Sequence, residues 1–280
     1  MSLATLKAKV QKLIDKARYG NIYKLMFTYE DIALVIPDDI TVIESSNYAP
    51  LSTISTSGKN VEQIITDFFN GCDSLVVADF PKLKSIGNNV FYNCSILETI
   101  NMPLLQSVGT QSFYQSALKE INAPNLVSIG ASGFFNCKMT TVSLPNLKTM
   151  GNSAFSDCAD LTEINTPNLV SIGASVIFTA NKVTKMTVGA LNETSNVSFR
   201  QVARGTNGAL TELYVGQGTS ADLYLQYSEK YPQSILHGII ENLADRTGKT
   251  AGIFNVGDKN LEKIDNEHKA ILNQRNWNYK

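Results

Sequence analysis

The chain is short of charge, cysteine, histidine and long apolar runs, and each shortage removes a class of function. Charged residues fill only 18% of 280 positions, and 24 Lys and Arg almost cancel 25 Asp and Glu, leaving −1. Binding to a phosphate backbone needs a basic stripe, so this balance argues against a nucleic-acid partner. No stretch approaches the 18 apolar residues of a membrane-spanning helix. The opening residues Met1 to Val10 lack the apolar core of a secretory signal. That leaves three routes: a leader already removed, export by another path, or retention inside until release. The chain holds four cysteines and two histidines. A chain of this size buries ~70–75% of its unfolded surface, so its core needs neither disulfides nor a metal. At 43% hydrophobic the composition is also too apolar for disorder.

What is abundant is repetition. Pro81, Pro103, Pro124, Pro145 and Pro167 are spaced by 22, 21, 21 and 22 residues. Two positions after each comes a leucine (Leu83, Leu105, Leu126, Leu147, Leu169), and three further an Ile, Val or Met, followed by a glycine (Gly87, Gly109, Gly130, Gly151, Gly173). Four positions later stand Phe91, Phe113, Phe134, Phe155 and Ile177, and three beyond them the small residues Cys94, Ser116, Cys137, Cys158 and Ala180. A unit this short cannot form a core alone, so the units must stack and share one. Leu97, Ile100 and Met102 suit a short strand with inward apolar residues, stopped by a proline that has no N–H to give a ladder. The glycine is expected at a tight turn with positive φ. The phenylalanine is expected to fill the coil interior.

These residues resemble the BspA-like leucine-rich repeats, common on bacterial surfaces and in some phage proteins. The resemblance covers residues 67–188 and fades toward Leu210–Val215. It departs from the ordinary leucine-rich repeat, because no regular Asn follows the strand. The fold class expected is therefore a leucine-rich-repeat solenoid, mostly β with turns, with a 21–22 residue period and strands on two faces. It carries a helical N-terminal segment and an α+β C-terminal cap. The domain boundaries are 1–20 (amphipathic helix), 21–66 (N-terminal cap), 67–216 (repeat solenoid) and 217–280 (C-terminal cap). Leu3, Leu6, Val10, Leu13 and Ala17 follow the 3-4 spacing of a helical seam. That seam either packs on the body or forms a short coiled coil that makes the protein an oligomer. In the N-terminal cap, strands are expected at Ile22–Phe27 and Ile32–Ile36. In the C-terminal cap, helices are expected at Thr219–Tyr231, at Ile235–Arg246 capped by Ser234 and ended by Gly248, and from Asp265 onward. A strand is expected at Ile253–Val256.

Chemistry is sparse. Cys72, Cys94, Cys137 and Cys158 share one repeat position, and their spacing is wrong for zinc, which favours closely spaced pairs. Neighbouring coils lie about 5 Å apart, so disulfides are not excluded by distance, but Ser116 and Ala180 in the same slot point to buried small fillers. Gly216–Ala221 matches a dinucleotide-loop pattern, yet no βαβ context follows, and a turn leaving the last repeat explains it. His237 and His268 are 31 residues apart, and His237 reads as a packing residue among apolar neighbours. The acid pairs Asp38/Asp39 and Asp157/Asp160 read as solvated turns. No catalytic, cofactor or metal site is expected.

Alternation leaves the outward strand positions as candidates: Thr99 and Asn101, Glu120 and Asn122, Thr141 and Ser143, Glu163 and Asn165, continuing to Lys185 and Thr187. The plain reading is a solvated sheet face. The functional reading is a binding strip, since solenoids offer extended surfaces to partners. The resemblance implies a non-enzymatic binding or adhesion module with a protein or glycan partner, at the cell surface or outside it. The alternative is a phage or prophage virion component, such as a tail or receptor-binding part.

Overall fold

The computed structural model describes residues 26–28, 33–44, 55–192, 197–198, 209–226 and 228–280. The seam from Leu3 to Ala17 lies outside the described residues. The chain is a β-solenoid of stacked parallel strands. One ladder runs Ala33–Val35, Ser55–Ser57, Val77–Asp79 and Thr99–Asn101, then resumes at Thr141–Ser143, Glu163–Thr166, Lys185–Val188 and Glu212–Tyr214. The second runs Val42–Ile43, Gln63–Thr66, Ser85–Asn88, Ser107–Val108, Ser128–Ile129, Thr149–Met150 and Ser171–Ile172. Met26–Thr28 closes the start of the first ladder by pairing antiparallel with Ala33–Val35.

The first ladder is interrupted where a strand was expected around Glu120 and Asn122. Two successive corners, Ser116–Leu118 and Cys137–Met139, are one residue shorter than Cys94–Leu97 and Cys158–Leu161, and the gap falls between them. Ile121 is half-buried there, as is Ile100 on the strand before it, while Val142 and Ile164 beyond are buried.

The repeat glycine works differently from the expectation. Positive φ falls instead on Asn89, Asn93, Gln111, Gln115, Ser132, Asn136, Ser153 and Asp157, while the positive-φ glycines are Gly71, Gly218, Gly248 and Gly257. The repeat glycine is required by closeness. A Cβ on Gly109 would lie 2.5 Å from the carbonyl carbon of Gly87, and one on Gly130 would lie 2.6 Å from that of Gly109. Left-handed backbone at ordinary residues costs about 1–2 kcal/mol each. Hydrogen bonds from coil to coil hold it in place: Asn89 N–H to Thr110 O (2.9 Å), Phe91 N–H to Ser112 O (2.8 Å) and Asn93 N–H to Tyr114 O (2.8 Å). The third side of each coil is therefore bonded to its neighbour much as the strands are.

Inside, like stacks on like. The rings of Phe69, Phe91, Phe113, Phe134 and Phe155 form one buried column with centroids 5.1, 5.2, 5.2 and 5.5 Å apart and planes within 10° of parallel. The four cysteines are buried and unbridged. Three of the thiols donate to a carbonyl of the preceding coil: Cys94 to Phe69 O (3.1 Å), Cys137 to Phe113 O (3.2 Å) and Cys158 to Phe134 O (3.1 Å). Outside, Asn146 and Asn168 each donate from Nδ2 to the proline carbonyl one coil back, Pro124 O and Pro145 O, at 2.8 Å.

Past the repeats, the coil widens but keeps winding. Asn192 N–H donates to Val170 O at 2.9 Å. Beyond it Val197–Ser198, Leu223–Tyr224, Gly252–Asn255 and Trp277–Tyr279 form a further parallel sheet. Helices α1 (Gln233–Asn242), α2 (Asp258–Leu261) and α3 (Asn266–Gln274) fill the connections. The helix expected at Thr219–Tyr231 is not formed among its described residues. Thr219 is bridged to Leu243 instead, and Leu223–Tyr224 is strand. Ser234 does not cap α1: Pro232 holds that position, and the helix ends at Asn242, where Leu243 turns extended to join the bridge rather than running on to Gly248. Asp265 does cap α3, its carboxylate accepting the His268 backbone N–H at 2.9 Å.

The stacked interior sets three expected outcomes. Phe134→Ala should cost about 3–5 kcal/mol in chemical denaturation through lost burial and a cavity. Gly130→Ala should also destabilise, although alanine is normally the better residue, because two backbones would have to part. Burial pushes the thiols of Cys72 and Cys137 from an ordinary 9.0 up to about 12. It raises those of Cys94 and Cys158 as well. Unfolded thiols release their protons near pH ~8.5 while the folded ones keep theirs. Their contribution to stability is therefore full below about pH 9 and lost as pH rises toward 12. Urea midpoints should fall from pH 9 upward, and a variant with all four cysteines changed to alanine should show a shallower fall. Parallel pH curves would contradict the buried, protonated thiols.

Candidate functional site

The first ladder places the outward side chains in two columns. Strand register puts Thr141 beside Glu163, Lys185 and Glu212, and Ser143 beside Asn165, Thr187 and Tyr214. On the N-terminal side Val77 stands beside Thr99, and Asp79 beside Asn101. Thr99, Asn101, Thr141 and Ser143 are exposed, whereas Glu163, Asn165, Lys185 and Thr187 are half-buried. Glu120 and Asn122 are exposed too, but they sit in the interruption rather than on a strand. The columns are therefore two shorter strips rather than one.

Neighbours within the strips bond to each other. Asn101 Nδ2 donates to Asp79 Oδ1 at 2.7 Å, and Lys185 Nζ lies 3.1 Å from Glu163 Oε1. The Glu163 carboxylate makes the Lys185 ammonium hold its proton more tightly than usual. Tyr214, 45% exposed, ends the second column as its single large aromatic. These contacts orient the polar groups along the strip.

Two arrangements were not anticipated. The first is an aromatic row on the turn side, where Tyr92, Tyr114 and Phe135 stack with centroids 4.8 and 4.6 Å apart. Its signal was present, since each follows directly on a column phenylalanine. The row covers its own ring faces and stops at buried Ser156. The second is the meeting of the two histidines, which chain separation alone kept apart. His237 on α1 and His268 on α3 stack face to face, centroids 3.5 Å apart and planes at 15°. Asp265 lies against both, and the three offer ligand atoms within 4.8 Å of one another, a set that could hold a metal ion. Only the fold could reveal this pair, because α1 and α3 have to pack together for the rings to meet.

Parallel ladders on two faces, inward leucines at a 21–22 residue period and polar columns outside define a leucine-rich repeat solenoid. The BspA type leucine rich repeat region matches in six copies over residues 20–127 and 84–204. The chain belongs to this family, and the match reaches well beyond the five aligned prolines. Among solved structures, a leucine-rich repeat protein from Bacteroides ovatus is similar at 18% identity with a TM-score of 0.51, over 84% of this chain and 58% of that one. This chain thus spans little more than half of that relative. A leucine rich cell surface protein from Faecalibacterium prausnitzii aligns at 12% identity and TM-score 0.33, over 93% of each chain. The pneumococcal vaccine antigen PcpA aligns at 12% and 0.30, over 93% of this chain and 96% of that one. No curated protein matches. No helix among the described residues is long and apolar enough to cross a membrane.

Proposed function

We propose that the chain is a non-enzymatic binding module that presents the first ladder to a partner protein at the cell surface or outside the cell. The observation that carries this reading is the register of the outward columns. Successive coils set side chains at one repeated spacing on a rigid backbone, so a partner meets a surface already organised. The composition supports a protein over a glycan, because Asn, Thr and Ser dominate and aromatic platforms for sugar rings are missing from the columns until Tyr214. Family membership supports the extracellular placement. The virion alternative rests on the lack of a secretory signal in the opening residues and on the helical seam at Leu3–Ala17, both outside the described residues, and no structural observation favours it.

The test uses the full chain, immobilised against a panel of matrix and cell-surface proteins, with a glycan array in parallel. Asn101→Arg with Ser143→Arg, both exposed, should weaken protein binding at least about tenfold by overfilling the strip, while the melting temperature stays put. Lys148→Glu, exposed just before a second-ladder strand, should leave binding unchanged. Binding lost in Lys148→Glu but kept in the double variant would move the site to the other face. Glycan binding alone, sensitive to the double variant, would replace the protein partner with a sugar.

A further inference from the structure

We infer that His237, His268 and Asp265 form a site for a borderline divalent transition ion such as Zn²⁺, which ties helix α1 to helix α3. This is independent of the ladder reading. The two imidazoles come from elements that meet only in the folded chain, and they are the only histidines in the sequence. Asp265 Oδ1 lies 2.7 Å from His268 Nδ1, and its Oδ2 lies 3.7 Å from His237 Nε2. Ligands 2.0–2.2 Å from a tetrahedral zinc sit about 3.3–3.5 Å apart, so these separations bracket what an ion requires. Two imidazoles and one carboxylate form a donor set suited to zinc and its neighbours, rather than the oxygen-only shell of calcium or magnesium.

Three further observations agree. His237 Nε2 is buried without a hydrogen-bond partner, an expensive position for a ring nitrogen unless something accepts its lone pair. Asp265 divides its oxygens: Oδ1 takes the backbone N–H of His268 as the helix cap, and Oδ2 faces His237. On the far side of His268, Nε2 lies 3.5 Å from Glu241 Oε1. Metal-bound histidines commonly give their other N–H to a carboxylate, which fixes the ring and raises its basicity. With Nε2–H turned to Glu241, Nδ1 is the nitrogen left to bind.

On loading, His268 carries its ring proton on Nε2, toward Glu241, so the hydrogen bond between Nδ1 and Asp265 Oδ1 gives way and both atoms turn their lone pairs to the ion. Because the rings lie nearly parallel, one imidazole turns about its Cβ–Cγ bond to bring both lone pairs onto the same centre. Three protein ligands leave a coordination position to water, and the half-exposed Asp265 side chain keeps the site open to solvent. The ion's effect is to clamp the last coil. Arg275 already caps the C-terminal end of α1 from the far end of α3, donating to Glu241 O at 2.9 Å and Leu243 O at 2.7 Å.

The experiment is titration of the untagged full chain with Co²⁺, followed by visible absorption, and with Zn²⁺, followed by thermal unfolding. One equivalent of Co²⁺ should give ligand-field bands, Zn²⁺ should displace it, and the melting temperature should climb with Zn²⁺ concentration. Mg²⁺ at the same concentration should do neither. His237→Gln and His268→Gln should each abolish the cobalt spectrum while circular dichroism stays unchanged. Glu241→Gln should weaken binding about tenfold without removing it. Absence of a cobalt spectrum and of a zinc-dependent melting shift would overturn the inference. So would metal binding that persists in the double histidine variant. Should a histidine variant fail to fold, Glu241→Gln, on an exposed side chain, still decides: unchanged affinity counts against the site.

Discussion

The backbone hydrogen bond between a residue and its counterpart one coil away is the constraint on which everything else depends. It operates on both ladders and also at the turn, where Phe91, Phe113, Phe134 and Phe155 each donate to the coil that follows, at 2.8, 2.9, 3.0 and 2.9 Å. Once three sides of a coil are bonded in register, identical positions must stack. Phenylalanine therefore lies on phenylalanine, a small residue under a small residue, and glycine against glycine where two backbones come closest. The left-handed residues at Asn89, Gln111, Ser132 and their kin are tolerated for the same reason, since the bonds they permit would be lost in any other conformation.

The repetition that builds the interior also organises the exterior. Outward residues inherit the spacing of the coil, so a surface of two columns arises without any side chain being positioned on its own. Core and surface are then separable, and a change on the strip can alter recognition while leaving the stack intact. Where the repeat ends, the rule relaxes. The chain stays in parallel sheet on one side while α1 and α3 enter the connections on the other. Among the described residues, only this wider coil brings side chains from different helices together, and His237 and His268 meet there.

Most of the solenoid is legible in the sequence, because one-dimensional periodicity maps directly onto a quasi-one-dimensional fold. The prolines, leucines and phenylalanines of residues 67–188 announce the coil, its buried column and the outward positions Thr141, Ser143, Glu163 and Asn165. Three features resist that reading. The role of Gly109 and Gly130 depends on the distance between backbones, which a single repeat does not contain. The interruption at Glu120–Asn122 falls between two corners that are each one residue short, a change that leaves the hydrophobic pattern untouched. The stretch Thr219–Tyr231 looks helical by composition, yet bridging to Leu243 and pairing with Phe254 draws it into strand and turn, tertiary contacts overriding local preference. The histidine pair is the clearest case of information that lies outside the chain order.

Amide hydrogen exchange on the native protein tests the central claim most directly. If coil-to-coil bonding extends around the turn, the amides of Phe91, Phe113, Phe134 and Phe155 should be protected as strongly as the strand amides of Ile129 and Ile164, and should open with them in one cooperative step. If instead those turn amides exchange within minutes, at the rate of an open loop, while the strands stay protected, then the coils are held by their ladders alone and the account of the stack is wrong.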